Sequence, residues 1–160
     1  MSETNKAIIR RLFDECLNAC EPNLYCELYA GVVYRTPVFG ELRNEEHRQF
    51  LQSLLAGFSD AHWTIEDQFA YKDRVVTRWK FCGTHTGPFV GIDATGKQLQ
   101  TSGISIHRIV AGKIVGEWVE WDTLGFMQQW GLVPMETSIG KWFAPSESPV
   151  LDEWETAAQI

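Results

Sequence analysis

From Lys6 to Cys20 the apolar positions Ile8, Leu12, Phe13, Cys16, Leu17 and Cys20 recur at helical spacing, while Arg10, Arg11, Asp14 and Glu15 fill the opposite face. This predicts an amphipathic helix covering a core. Pro22 suits the first turn of a second, shorter helix carrying Leu24, Tyr25, Leu28 and Tyr29, with Gly31 as its end. After the extended run VVYRTPVFG, Asn44 is placed to cap a third helix whose Phe50, Leu51, Leu54, Leu55 and Phe58 share one face. At Asp60 the period changes. AHWTIEDQFAYKDRVVTRWKFCGTHTG is rich in β-branched and aromatic residues around a short polar break at Lys72-Asp73, which predicts a long hairpin. A second pair, LQTSGISIHRIV and KIVGEWVEWD, is joined at Ala111-Gly112. Thr123 to Trp130 reads as a short final helix stopped by Gly131 and Pro134. Helices followed by mostly antiparallel strands predict an α+β domain with the helices gathered over one face of a curved sheet.

The second hairpin is where alternation exposes candidate chemistry. With Ala111 and Gly112 as the turn, regular pairing sets Ser105 opposite Trp118, Gly103 opposite Glu120 and Thr101 opposite Asp122. One face then carries Ile104, Ile106, Val115, Val119 and Trp121, an apolar set suited to another layer or a second subunit. The other carries Thr101, Ser105, His107, Trp118, Glu120 and Asp122, a mixed polar and aromatic set that a packed core rarely chooses. Glu120 and Asp122 would lie about 6.5–7 Å apart along the strand. Helices closing over this face would leave a pocket with aromatic walls and few polar groups, the usual form of a small-molecule site.

Composition narrows the classes. The 160 residues fit one domain, 44% of them hydrophobic and 22% charged, and no apolar run is long enough to span a membrane. The N-terminal stretch is polar and then amphipathic, without the apolar region of a secretory signal, so a cytoplasmic protein is expected. A net charge of −7 with scattered basic residues offers no stripe for nucleic acid. Cys16, Cys20, Cys26 and Cys82 lack metal-ligand spacing, so reduced thiols are expected, and neither a metal site nor a disulfide framework. P-loop, zinc-protease and nucleophile-elbow motifs are absent, and GPFVGIDATG lacks the spacing of a dinucleotide fingerprint. The stretch after Pro134 is acidic and broken by Pro and Ser, so the domain is expected over 1–134 with a tail or arm over 135–160.

Asp122 has two readings on residue type alone. It can cap the final helix, or, if Thr123 takes the cap, point inward beside Glu120 with a raised pKa and serve as a general acid/base. The stretches 58–97 and 102–131, with GTHTGPFVGIDATGK and the spacing GKI-x-x-x-W-x-x-x-D-x-LG, and more weakly NKAIIRRLFDECLN, carry a family resemblance. Here the chain resembles the SnoaL-like polyketide (ester) cyclases of the nuclear transport factor 2-like superfamily. The resemblance implies a cone-shaped α+β barrel enclosing a deep pocket, an intramolecular aldol ring closure without metal or organic cofactor, and a homodimer. It assigns general acid/base work to Asp122 and a pocket place to His107. Glu120 is a departure that also fits isomerisation or water activation, and a non-catalytic binding module remains the reading from another class. Trp118, Ser105, Thr101, His85, Trp79 and Trp63 complete the expected substrate-binding set, while His47 and His62 are expected at the surface.

Overall fold

The structure, a computed structural model, describes residues 2–134, so the expected tail lies outside the described residues. Helix α1 (Ser2–Arg11) runs directly into a π-helical segment (Leu12–Asn18), whose wider winding keeps Leu12, Phe13, Cys16 and Leu17 all buried. The Asn18 amide then grips the sheet, donating to Trp63 O at 2.8 Å and accepting from Trp63 N at 2.7 Å.

The second helix is shorter than its pattern suggests. Helix α2 (Tyr25–Leu28) gives way at Tyr29 to strand β1 (Tyr29–Thr36), because Tyr29 pairs with Ile114 in the sheet instead of continuing the helix. Strand β2 (Gly40–Arg43) leads to helix α3 (Glu45–Gly57). Asn44 precedes it but makes no side-chain cap, and Glu46 instead accepts from Arg43 N at 3.0 Å. Strands β3 (His62–Tyr71), β4 (Arg74–Thr84), β5 (Gln98–Val110) and β6 (Lys113–Trp121) follow as the two expected hairpins, and α4 (Thr123–Trp130) ends at Gly131 with φ +89°.

The six strands form one sheet in the order β2-β1-β6-β5-β4-β3, antiparallel throughout except for the parallel β1/β6 pair. The sheet is therefore mixed and not closed on itself, and with the helices over it forms the expected α+β arrangement around a pocket. Helices meet it on one face, α1 and the π-helical segment against β3 and α4 against β5. No helix among the described residues is long and apolar enough to cross a membrane.

The β5/β6 hairpin departs from regular pairing in one place that matters. Its turn has positive φ at both Ala111 (49°) and Gly112 (76°), the geometry that matches the twist of two strands joined by two residues. Val110 pairs with Lys113 and Ile109 with Ile114 as expected, but Arg108 then pairs with Gly116, leaving Val115 as an extra residue on β6. Such a bulge inverts the facing of everything beyond it. His107 consequently opposes Glu117, Ser105 opposes Val119, and Ile106 opposes Trp118.

Candidate active site

A cavity of about 360 Å³ lies between the helices and the sheet. Leu12, Phe13 and Leu17 of the π-helical segment and Phe50, Leu51 and Leu54 of α3 wall it on the helical side. On the sheet side, Trp63, Trp79 and Phe81 come from β3 and β4, and Val119 and Trp121 from β6. Trp79 can lie flat over β5 only because its strand partner is Gly103; a Cβ there would sit 2.5 Å from the indole. The same ring donates from Nε1 to Ser105 Oγ at 2.8 Å. An indole N–H can only donate, so the Ser105 hydroxyl keeps its own proton for a ligand in the cavity.

Among the described residues lining the cavity, Glu117 is the only one with a charged side chain. Its carboxylate meets three groups from three elements. The Tyr29 hydroxyl of β1 donates to Oε2 at 2.9 Å, His107 Nε2 of β5 lies 3.2 Å from Oε1, and His47 Nε2 of α3 lies 4.0 Å from Oε2. All four residues are buried, the two histidines completely. Burial opposes the charge on Glu117, but attraction to His107, its contact, His47 and the Tyr29 hydroxyl together outweigh it and hold the carboxyl below its ordinary pKa. Burial, with the nearby carboxylate second, drives the Tyr29 hydroxyl well above the usual tyrosine range, so it stays a donor. The carboxylate is thus an ionised acceptor facing an aromatic cavity, the form a proton-abstracting base requires.

Of the residues expected from sequence, the structure brings Trp63, Trp79, Thr101 and Ser105 to the cavity and His107 to the carboxylate. The bulge removes Glu120 and Trp118. Both follow the Val115 insertion, so Glu120 is exposed opposite Ile104 on the outward face, and Trp118 lies there between the guanidinium groups of Arg35 and Arg74, 5.6 and 5.2 Å from its ring. Val119 and Trp121, expected outward, line the cavity. Asp122 is exposed at the N-terminus of α4, where Oδ1 accepts from Gly125 N at 2.9 Å, and it does not line the cavity.

His85 is buried but takes no part in the cavity. Trp130 Nε1 and Thr95 N both donate to its Nδ1, at 3.1 and 3.2 Å, so the ring carries its proton on Nε2 and ties the β4–β5 loop to α4. His62 is exposed as expected, whereas His47 is not: it stacks on Tyr34 with ring centroids 4.4 Å apart. Glu117 and Tyr29 were also missed. Gly116 was the available signal, because a glycine inside a strand pattern marks a bulge.

The profile of the family described as SnoaL-like polyketide cyclase matches residues 7–130. The chain belongs to the SnoaL-like polyketide cyclase family. Solved structures agree in fold. A candidate SnoaL-like polyketide cyclase from Jannaschia sp. CCS1 is similar with a TM-score of 0.75 at 21% identity, over 83% of this chain and 95% of that one. AclR of Streptomyces galilaeus, described as a candidate hydroxylase, gives a TM-score of 0.75 at 20% identity over 86% and 87%. A candidate polyketide cyclase from Acidithiobacillus ferrooxidans gives 0.68 at 27% identity over 79% and 93%. No match emerged among curated proteins. Membership in the SnoaL-like family supports a cyclase-type function, and within that family the cavity carboxylate is the feature this chain's geometry singles out.

Proposed function

We propose that this chain is a cytoplasmic, cofactor-independent enzyme that closes or isomerises a ring on a hydrophobic, carbonyl-bearing small molecule, with Glu117 in the acid/base role that the sequence pattern suggests for Asp122. The observation that carries this reading is that, among the described residues, Glu117 is the one buried carboxylate facing a largely apolar cavity. In the ring-closing case Glu117 takes a proton from a carbon next to a carbonyl, and the C–H electron pair becomes an enolate. The enolate carbon forms a C–C bond to a second carbonyl, whose π pair moves to oxygen. Protonated Glu117 then returns its proton to that alkoxide, so the enzyme ends as it began. Ser105, with its oxygen accepting from Trp79 and its proton free, is placed to donate to the enolate oxygen. Trp63, Trp79 and Thr101 would hold the folded pose. We also infer that two copies pair through the outward face of the sheet.

Solvent exchange at the carbon next to the carbonyl of an aromatic ketone tests the reading without the natural substrate. Wild-type protein should accelerate deuterium incorporation into 2-tetralone, followed by proton NMR. Glu117→Gln should lose about 100-fold or more of that acceleration, the range of general acid/base effects, while Asp122→Asn retains it. Retention by Glu117→Gln with loss in Asp122→Asn would return the role to Asp122. Binding of the ketone without exchange in wild type would make the chain a binding module.

A further inference from the structure

Behind Glu117 the cavity wall holds a group that the acid/base step alone leaves unexplained. His47 is fully buried, and its Nε2 has no hydrogen-bond partner among the described residues. Its tautomer follows from its neighbours. Tyr25 donates its only hydroxyl proton to Asn44 O at 2.9 Å, so toward His47 Nδ1, 3.3 Å away, the same oxygen must accept. The neutral ring therefore carries its proton on Nδ1 and turns the Nε2 lone pair toward Glu117 Oε2, 4.0 Å away. A closing movement of about 1 Å brings that pair to hydrogen-bond distance.

We propose that His47 is a proton store behind Glu117: the proton that Glu117 takes from the substrate passes to His47 Nε2 and is returned through Glu117 when the product oxygen needs it. This rests on the reading of Glu117 as the cavity base. In the step, the carboxyl O–H bond breaks and an imidazole N–H bond forms, converting a carboxylic acid beside a neutral imidazole into a carboxylate beside an imidazolium. The gain is a carboxylate restored to its ionised form while the enolate reacts, with the charge on His47 compensated within the same buried cluster.

The groups that face this pair are few. Tyr25 of α2 and Tyr29 and Tyr34 of β1 surround His47, with ring centroids 5.6, 5.2 and 4.4 Å away. His107 of β5 stands on the other carboxylate oxygen, and Cys16 of the π-helical segment lies close enough for burial first and Glu117 second to push its thiol to about 11. Burial holds the His47 ring below the ordinary imidazole value, Glu117 opposing and His107 assisting, so the store is empty at neutral pH. A metal ion is the competing occupant of two histidines and a carboxylate. However, among the described residues His107 Nδ1 has no outer acceptor of the kind a metal-bound imidazole has, and Tyr29 already occupies Glu117 Oε2.

The first test is the ring nitrogen state of His47 by long-range nitrogen-15 NMR on the ligand-free protein at pH 7, assigned with His47→Gln. A neutral Nδ1–H ring is expected, and Tyr25→Phe, which touches neither Glu117 nor the fold of the sheet, should shift the ring toward Nε2–H. An imidazolium or an Nε2–H ring in wild type would overturn the proposal. The second test is calorimetric titration with the enolate of 2-phenyl-1,3-indanedione at pH 8 in two buffers of different ionisation enthalpy. A stable enolate mimics the state after proton abstraction, so binding should draw about one proton from solvent, with the His47 Nε2 resonance reporting its arrival. Proton uptake with His47 still neutral would overturn the store and leave Glu117 as base. Failure of the enolate to bind, or equal uptake in Glu117→Gln, would overturn the cavity reading and the store with it.

Discussion

An aspartate at a strand-to-helix junction serves either the helix or the strand's chemistry, and at Asp122 the backbone makes the first use concrete. Oδ1 accepts from Gly125 N, and the side chain lies so close over that residue that a Cβ at Gly125 would fall 2.2 Å from Oδ2. Asp122→Ala should therefore cost about 1 kcal/mol of stability in urea unfolding, whereas Asp122→Asn, an equally good cap, should cost almost nothing. A loss in the Asn variant as large as in the Ala variant would mean that the charge, not the cap, is what the position supplies. Residue type could present both uses of Asp122, and the geometry shows the capping contact. His47 shows the converse: between Glu45, Glu46 and Arg48 it has the sequence context of a solvated face, and what buries it is a set of tyrosines distant in the chain. Nothing local to His47 carries that information. Ser105, Trp79 and Trp63 were legible because polar and large aromatic residues at strand positions of one face have few places to go.

At the scale of elements, periodicity located α1, α3, α4 and both hairpins, and the turn chemistry at Ala111-Gly112 located the β5/β6 turn correctly. What alternation could not supply was facing, because a strand's side-chain period of two turns a single inserted residue into a complete inversion. Val115 is that residue. Beyond it Glu117, Val119 and Trp121 face the cavity and Trp118 and Glu120 face out. Burial along β6 records the slip, with Gly116 and Glu117 buried in succession where a regular strand would alternate. The transition from α2 to β1 was missed for a related reason. Tyr29 fits the helical spacing of Leu24, Tyr25 and Leu28, yet its partner is Ile114 across the sheet, and a nonlocal pairing overrides a four-residue helix with little cooperative strength of its own.

For the whole molecule, two consequences follow from where the sheet and its charges lie. Across the outward face, strand pairing aligns Phe69, Val76, Ile106 and Trp118 in one row over four strands, with Ile104 beside it, and Phe69 is 59% exposed. A continuous apolar row of this kind favours a second copy, so light scattering should find a dimer in wild type and a monomer in Ile106→Glu; a monomeric wild type at micromolar concentration would remove the dimer. The second consequence concerns pH. Burial lowers the folded-state pKa of His47 and of His85, so in each case the unfolded ring takes up a proton before the folded one. Their contribution to stability is complete above the unfolded imidazole value of about 6.5 and falls as pH drops below it, by at most about 1.4 kcal/mol per pH unit for each ring. Glu117 acts in the same direction lower down, since its depressed carboxyl contributes above the unfolded value of about 4.3 and loses that contribution as pH falls through its folded value. Urea unfolding at pH 8, 6.5 and 5 should therefore give nearly equal stability at the first two and a clear loss at the third. His47→Gln should make the loss between the last two smaller by removing one buried ring that resists protonation. An unchanged slope in that variant would mean that the folded His47 ring takes up its proton over the same pH range as the unfolded one, and would contradict a ring whose pKa burial depresses.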